Sequence, residues 1–132
     1  MMYVKTKIGP SKINGIGLFA DEFIPKETVI WKFNPLIDLC LSKSDLRKLS
    51  LASQEQLHKY TYLDSNKKKY VLCGDDARFF NHSKNPNCKD VKTYSHDKDD
   101  KTIAIKDIKK GEELTCDYHV FYGNIKEHPE VK

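Results

Sequence analysis

The sequence lacks the features that mark secreted and membrane-spanning proteins. None of its apolar runs approaches the roughly 20 residues that a bilayer-spanning helix needs, and the opening stretch MMYVKTKIGPSK contains no apolar signal-peptide core. Cysteine is scarce, since the 132 residues include only four, and these form neither a C-x-x-C pair nor a zinc-ligand spacing. We therefore expect an intracellular protein with reduced thiols, no membrane association and no structural metal.

A strong excess of charge of one sign is also missing. The chain carries 23 basic and 19 acidic side chains, which gives a net charge of +4 at pH 7. The basic residues are dispersed, and they do not alternate with aromatic residues as they do in surfaces that stack nucleic-acid bases. A nucleic acid is therefore not expected as a direct ligand. The length of 132 residues suits one compact domain.

Helical patterning is confined to one stretch, residues 42–60. Ser44 precedes a short amphipathic segment and Ser53 has capping-box spacing before Leu57, so the pattern predicts two short helices. The rest of the chain alternates short apolar and β-branched runs with turn signals, which predicts strands. The predicted hairpins join residues 60–63 to 69–73 and residues 89–95 to 102–106. The fold class predicted is therefore mainly β with a short helical insert.

A glycine-containing segment, GIGLFA at residues 15–20, has the G-x-G-x-x-A spacing of a dinucleotide-binding loop. Such a loop must open a long helix, but Pro25 and the β-branched run after it exclude one here. Two interpretations stay open from the residues alone. The segment is either a plain glycine turn or a turn whose main chain lies close to a bound ligand.

The segment RFFNHS, residues 78–83, places polar groups directly after an aromatic pair. Asn81 offers two donors and an acceptor, which suit a ligand with an amino or a carboxylate group, although Asn-His-Ser also suits an Asx turn. His82 and Ser83 lack the sequence context of a hydrolytic triad, so we do not expect hydrolysis. The residues alone leave a ligand-binding floor and a structural turn open.

The segment GEELTCDYHVFYG, residues 111–123, combines carboxylates with a cluster of aromatic rings. Adjacent Glu112 and Glu113 would point to opposite faces of a strand, which excludes a glycosidase with paired carboxylates. Tyr118 ends the apolar run and is followed by further rings, including Tyr122. This cluster suits either a core position or the wall of a slot for a cation.

Taken in their order along the chain, these segments resemble a SET-domain protein-lysine methyltransferase of minimal, stand-alone form. That family combines a G-x-G start, an R-F-x-N-H-S-x-x-P-N segment and a G-E-E-L-T-x-D-Y segment, and all three occur here between about Ile8 and Gly123. We name them the first block (residues 15–20), the second block (residues 78–88) and the third block (residues 111–118). The resemblance implies a β-clip-like fold of small curved sheets around a pseudo-knot, in which the third block threads past the second.

The resemblance further implies a single SET domain at residues 1–123, with an insert at about 35–60 and a charged tail at 124–132. It implies an enzyme that uses S-adenosylmethionine to methylate the side-chain amine of lysine in a protein, such as a histone tail or another basic protein. The positions that match the family's cofactor-binding residues are Asn14, Gly15, Ile16, Gly17, Tyr60, Arg78, Asn81, His82 and Tyr122. The positions that match the lysine channel are Tyr62, Cys116 and Tyr118, and Tyr118 also matches the catalytic tyrosine.

The chain departs from the family pattern in two places. Cys116 stands where relatives carry Phe or Tyr, the ring that governs how many methyl groups are added, so mono-, di- and trimethylation all stay open. The cysteine-rich segments that often flank the domain are absent, so a second subunit is one source of the missing channel wall, and a homodimer is compatible with the resemblance. The alternative is a non-catalytic module of this fold that binds a peptide or S-adenosylmethionine, although Asn81, His82 and Tyr118 all match the catalytic pattern.

Overall fold

The computed structural model describes residues 1–64, 68–91 and 101–117. Within these ranges the strands are β1 (Thr6–Pro10), β2 (Ile16–Ala20), β3 (Val29–Lys32), β4 (Leu39–Leu41), β5 (Thr61–Asp64), β6 (Lys69–Leu72), β7 (Asn81–His82), β8 (Cys88–Val91), β9 (Lys101–Ala104) and β10 (Thr115–Cys116). The helices are α1 (Lys43–Arg47) and α2 (Leu51–Tyr60), and a 3₁₀ turn covers Asp76–Phe79. The predicted fold class, mainly β with a short helical insert, is confirmed. No helix in these ranges has the length and apolar character needed to cross a membrane.

The described strands form four small sheets. Strands β1 and β2 make an antiparallel hairpin, β9 lies between β3 and β8, and β6 lies between β4 and β5. The pairings of β5 with β6 and of β8 with β9 are antiparallel, which confirms the strand pairing of both predicted hairpins. Residues 92–95 of the second predicted hairpin lie outside the described residues. The remaining pair, β7 with β10, is parallel and joins two segments that are distant in the sequence.

The insert contains two short helices, as predicted, but each begins earlier than the predicted cap. Ser42 rather than Ser44 caps α1, because its hydroxyl accepts a hydrogen bond from the Asp45 N–H at 3.0 Å. The Asp45 carboxylate accepts in return from the Ser42 N–H at 3.1 Å, and the bonds from Ser42 lower the pKa of that carboxyl. Ser50 rather than Ser53 caps α2, since the Ser50 hydroxyl accepts from the Ser53 N–H at 3.2 Å. Reciprocal capping bonds of this kind allow short helices to form.

The main core brings both ends of the described chain together. Leu18, Ile24, Ile30, Ile108 and Leu114 are completely buried and belong to one hydrophobic cluster. Full burial of such a side chain contributes about 1.5–3 kcal/mol relative to its exposed state. The third block is therefore held against the first block by apolar packing as well as by hydrogen bonds.

The third block runs alongside the second block as a parallel strand pair. In the β7–β10 register Thr115 is opposite Asn81 and Cys116 is opposite His82. The Ser83 N–H extends this pairing by donating to the Cys116 carbonyl at 3.0 Å. The polar residues of the second block are consequently fixed directly beside the chain that leads to Tyr118.

Asn87 holds the two blocks together through its side chain. Its Nδ2 donates to the Glu113 carbonyl at 2.8 Å, and its Oδ1 accepts from the Thr115 N–H at 2.9 Å. The Asn87 N–H also lies 3.4 Å from the Thr115 hydroxyl, to which it donates. Because Asn87 is buried, its amide takes the place of a neighbouring strand for this part of the third block.

We expect Asn87→Ala to lower the free energy of unfolding by about 2–6 kcal/mol, because it leaves a main-chain N–H and a carbonyl of the third block without partners, at about 1–3 kcal/mol each. Urea denaturation measures this change. The control is Asn85→Ala, an exposed asparagine two residues earlier, for which a change within about 0.5 kcal/mol is expected. Equal, small changes for both variants would contradict the assigned role of Asn87.

Candidate functional site

The glycines of the first block lie in the turn and second strand of the β1–β2 hairpin, not at a helix N-terminus. The Ser11 hydroxyl accepts hydrogen bonds from the N–H groups of Ile13 and Asn14, at 2.9 and 3.3 Å. The Ser11 N–H donates to the Gly15 carbonyl at 2.9 Å, and the φ of +48° at Gly15 is one that favours glycine. The turn is thus closed by its own bonds, and residues 12–16 are exposed along its outer edge. The exclusion of a dinucleotide-binding loop is confirmed.

Asn81 joins the second block to this turn. Its Nδ2 donates to the main-chain carbonyls of Asn14, at 3.1 Å, and of Ile16, at 3.2 Å. The residue lies beneath the turn and is 9% exposed. Both amide protons are therefore used to position the turn, whereas Oδ1 accepts no hydrogen bond from the described residues. This atom is the part of Asn81 that can receive a donor from a ligand.

Gly17 joins the first block to the third. A Cβ atom at this position would overlap the Glu113 carboxylate. Glu113 lies there because it forms an antiparallel bridge with Phe19, while the next residue, Leu114, donates its N–H to the Leu18 carbonyl at 2.7 Å. The three blocks consequently meet at one place, and a side chain at position 17 would separate two of them.

We expect Gly17→Ala to lower the free energy of unfolding by about 1–3 kcal/mol, the usual effect of overpacking. Glu113→Ala in the same chain should restore most of that loss, because it removes the group that the new methyl overlaps. Gly9→Ala is the matched control, since a Cβ there would make only ordinary contacts with Phe19, the shortest at 3.8 Å. Thermal and urea unfolding measure the four proteins, and a Gly17→Ala variant as stable as Gly9→Ala would contradict this packing.

A cleft of about 70 Å³ lies beside the β7–β10 pair. Tyr60, Tyr62, Arg78 and Cys116 line it, and all four are residues that the sequence assigned to the cofactor or to the lysine channel. Trp31, which the sequence analysis did not single out, lines the same cleft. The structure therefore gathers predicted residues from the insert, the second block and the third block around one space.

One end of the cleft carries a positive charge on an aromatic surface. The Arg78 guanidinium lies 5.9 Å from the centre of the Tyr60 ring, within the range of a cation–π contact. Arg78 Nη2 also donates to the Cys73 carbonyl at 3.0 Å, and the Tyr60 ring packs edge-on against Phe79 with centroids 5.9 Å apart. This fixed cation suits the carboxylate of a bound ligand.

The other side of the cleft is formed by rings and a neutral thiol. Tyr62 packs edge-on against Trp31, with ring centroids 6.4 Å apart. A hydrogen bond with Cys88, together with burial, raises the pKa of the Cys116 thiol well above its usual value. Burial likewise raises the pKa of Cys73, which also lines the cleft. These thiols are uncharged at neutral pH, but the Asp90 carboxylate belongs to the same lining, so the cleft combines neutral rings and thiols with a carboxylate.

His82 connects the second block to the end of the described third block. Its Nδ1 lies 3.7 Å from Asp117 Oδ1, next to Tyr118 in the sequence. Tyr118 and Tyr122 themselves lie outside the described residues, as does the tail at 124–132. Apart from His82, the predicted residues that the structure does describe fall into two groups, the turn around Asn81 and the cleft. The β7–β10 pair, to which His82 belongs, joins these groups.

Sequence reasoning missed two residues of this site. The sequence analysis gave no role to Asn87, which belongs to the Pro-Asn pair of the second block. It gave no role to Trp31, which is the one tryptophan of the chain. A tryptophan combines a large apolar surface with a donor that must be satisfied, and this combination is the signal that could have identified it.

The chain is similar in sequence to known histone methyltransferases. The family model described as SET domain matches residues 15–119. A Mycosarcoma maydis protein named "Histone-lysine N-methyltransferase, H3 lysine-36 specific" is 34% identical over an aligned length of 133. The alignment covers 92% of this chain and 13% of the relative. The Homo sapiens "Histone-lysine N-methyltransferase 2D" is 33% identical over 110 residues, which cover 82% of this chain and 2% of the relative. The chain thus spans a small part of the length of these curated relatives.

Solved structures share the same fold. Chaetomium thermophilum Polycomb Repressive Complex 2, in an autoinhibited conformation bound to S-adenosylmethionine, superposes with a TM-score of 0.70 at 24% identity. The match covers 94% of this chain and 16% of that chain. An apo form of that complex in an autoinhibited state superposes with a TM-score of 0.72, also at 24% identity and over 94% of this chain. The small sheets and their helical insert are therefore an arrangement already seen in solved proteins.

Proposed function

The chain belongs to the SET-domain family, and we propose that it is an S-adenosylmethionine-dependent protein-lysine N-methyltransferase. The observation that carries this proposal is the position of Asn81, whose amide holds the glycine turn while its strand pairs with the third block. The curated relatives support it, because they are named as histone-lysine N-methyltransferases.

We assign cofactor binding to the exposed edge of the glycine turn and the adjoining end of the cleft. The residues we assign to it are Asn14, Gly15, Ile16, Gly17, Tyr60, Arg78, Asn81 and His82, and the sequence match adds Tyr122, which lies outside the described residues. The described residues fit an amino-acid group, since Asn81 Oδ1 can accept from an ammonium and Arg78 offers a cation for a carboxylate. They also leave room, because nothing lies within 4 Å of the place that a Cβ at Gly15 would occupy.

We assign the substrate lysine to the wall of the cleft formed by Tyr62 and Cys116. The sequence match adds Tyr118, which lies outside the described residues. The attacking amine must be uncharged, although the unperturbed pKa of lysine is about 10.4. Rings and neutral thiols disfavour the ammonium form and lower that pKa, whereas the Asp90 carboxylate in the same lining favours the ammonium form. The proton can pass to water without a dedicated base. Holding the amine in line with the methyl group can reduce the barrier by about 7–11 kcal/mol.

When bound, S-adenosylmethionine supplies a methyl group on a cationic sulfur: the amine lone pair forms the new N–C bond, the C–S electron pair returns to sulfur, and a proton leaves the nitrogen for water. The residues of this chain hold and orient the reactants. We propose that the Tyr118 hydroxyl orients the amine. The approach of His82 Nδ1 to Asp117 Oδ1, at 3.7 Å, supports this role, because it brings the second block next to the residue directly before Tyr118.

The substrate we propose is a lysine in a histone or another basic protein. The names of the relatives support a histone, and they also support an intracellular location for the reaction. Because the chain spans 13% of one relative and 2% of the other, the names of these relatives do not identify which lysine this chain methylates. The homodimer, the domain boundaries at 1–123 and the number of methyl groups stay predictions.

The experiment that tests this function combines calorimetry with S-adenosylmethionine and a lysine-peptide array incubated with a labelled methyl donor. Saturable binding together with label on lysine peptides is the expected result. Binding without transfer to any lysine peptide or protein would instead favour the non-catalytic module. If the protein shows no binding of S-adenosylmethionine and no transfer of the label, the proposal is overturned.

A further inference from the structure

Trp31 faces the proposed lysine channel from a row of side chains that crosses one sheet. In the antiparallel register of β3, β9 and β8, Trp31 is opposite Thr102, and Thr102 is opposite Asp90. All three residues line the cleft that Tyr62 and Cys116 also line. The indole is therefore part of the same wall as the residue that replaces the usual channel ring.

The indole N–H of Trp31 is a buried donor without an acceptor in the described part of the chain. The residue is 3% exposed, and buried tryptophan N–H groups usually have a partner. The cleft of about 70 Å³ is larger than the roughly 10–15 Å³ that one water needs. The cleft therefore has room for a water or a ligand group that could accept a hydrogen bond from this N–H.

Trp31 and Cys116 line the same cleft, so the indole affects how much space the proposed lysine channel has. Cys116 has a small thiol where the family pattern has a Phe or Tyr ring, so the channel wall lacks that ring. Trp31 brings a larger ring into the same cleft and is held there by its edge-on contact with Tyr62. A different ring therefore lines the cleft whose usual ring is missing.

We propose that Trp31 limits the number of methyl groups added to the substrate lysine, an inference that rests on the proposed methyltransferase function. The first transfer needs room for one methyl group at the amine. A second transfer needs room for the methyl group already present as well, and the indole occupies that room. Monomethyllysine is therefore the expected main product of the wild-type protein.

The test is Trp31→Phe, assayed by mass spectrometry on matched peptides carrying unmodified, monomethylated or dimethylated lysine. The change keeps a ring but removes the N–H and part of the volume. The ratio of turnover on the monomethylated peptide to turnover on the unmodified peptide should rise about tenfold, the discrimination that one methyl-sized contact supplies in a pocket. The affinity for S-adenosylmethionine should stay unchanged.

The matched control is Phe33→Leu. Phe33 packs edge-on against Trp31, with centroids 6.5 Å apart, but it is not part of the cleft lining. The Phe33→Leu substitution disturbs the rings packed around Trp31 without changing the channel lining. The ratio of turnover on the monomethylated peptide to turnover on the unmodified peptide should therefore stay as in the wild type. A merely structural role for Trp31 would lower turnover on all three peptides alike and leave the ratio unchanged, which would overturn the inference.

If Trp31→Phe does not fold, a second variant tests whether Trp31 restricts the space in the channel. Cys116→Phe adds the usual ring to a wall that already contains Trp31, so we expect overpacking and about a tenfold loss of turnover on the unmodified peptide. Full turnover of Cys116→Phe would mean that the space beside Cys116 is empty and would overturn the inference. Failure of the function itself looks different, because the wild-type protein would then transfer no methyl group to any peptide.

Discussion

Asn81→Asp should weaken S-adenosylmethionine binding by about 2–4 kcal/mol, or roughly 30- to 1,000-fold. The substitution keeps the shape of the side chain but replaces the amide donor with a carboxylate. The present donor bonds to the carbonyls of Asn14 and Ile16 would be lost, and the new oxygen would face those two carbonyl oxygens. The glycine turn would then lose the support that fixes its exposed edge.

Calorimetry measures this change, and Asn85→Asp is its control. Asn85 is exposed and belongs to the same block, so the control introduces the same charge without touching the turn. Its affinity should equal that of the wild-type protein. Thermal unfolding of each variant checks that the fold is retained. An Asn81→Asp protein that binds S-adenosylmethionine as tightly as Asn85→Asp would remove Asn81 from the site.

Tyr118→Phe should lower turnover about 100-fold, the effect expected when a reacting group is misplaced by about 1 Å. The ring is kept, so the loss is confined to the hydroxyl that we propose orients the amine. The affinity for S-adenosylmethionine should stay near the wild-type value, because the groups assigned to the cofactor are unchanged. Single-turnover methylation of a lysine peptide, measured beside calorimetry, separates the two quantities.

The control for this variant is Tyr3→Phe, which removes the hydroxyl of a tyrosine that is exposed and does not line the cleft. Turnover of this control should match the wild type. Unchanged turnover for Tyr118→Phe would exclude its hydroxyl from the mechanism. Equal losses of turnover and of cofactor affinity would assign Tyr118 to binding instead of orientation.

The local parts of this fold could be predicted from the sequence because they depend on neighbouring residues. Alternating apolar residues and turn signals were enough to identify the β5–β6 and β8–β9 hairpins. The two helices were predicted as well, but their caps were not. Ser44 has a suitable side chain, yet Ser42 caps α1 because its hydroxyl and the Asp45 carboxylate bond reciprocally.

The site itself depends on contacts between distant segments, which no local pattern encodes. Asn81 Nδ2 donates to the Asn14 carbonyl across 67 positions of sequence, and Asn87 Nδ2 donates to the Glu113 carbonyl across 26. The resemblance to SET domains anticipated that the blocks meet, but not that the Asn81 amide supports the turn. Nor did it anticipate Trp31, whose place in the cleft follows from its register opposite Thr102.

The most direct measurement is mass spectrometry of histones and lysine peptides after incubation with S-adenosylmethionine that carries a deuterated methyl group. The wild-type protein is predicted to place that methyl group on a lysine side-chain nitrogen, and Asn81→Asp is predicted to lose this transfer at the same protein concentration. Absence of the label from every lysine, despite a folded wild-type protein, would contradict the account.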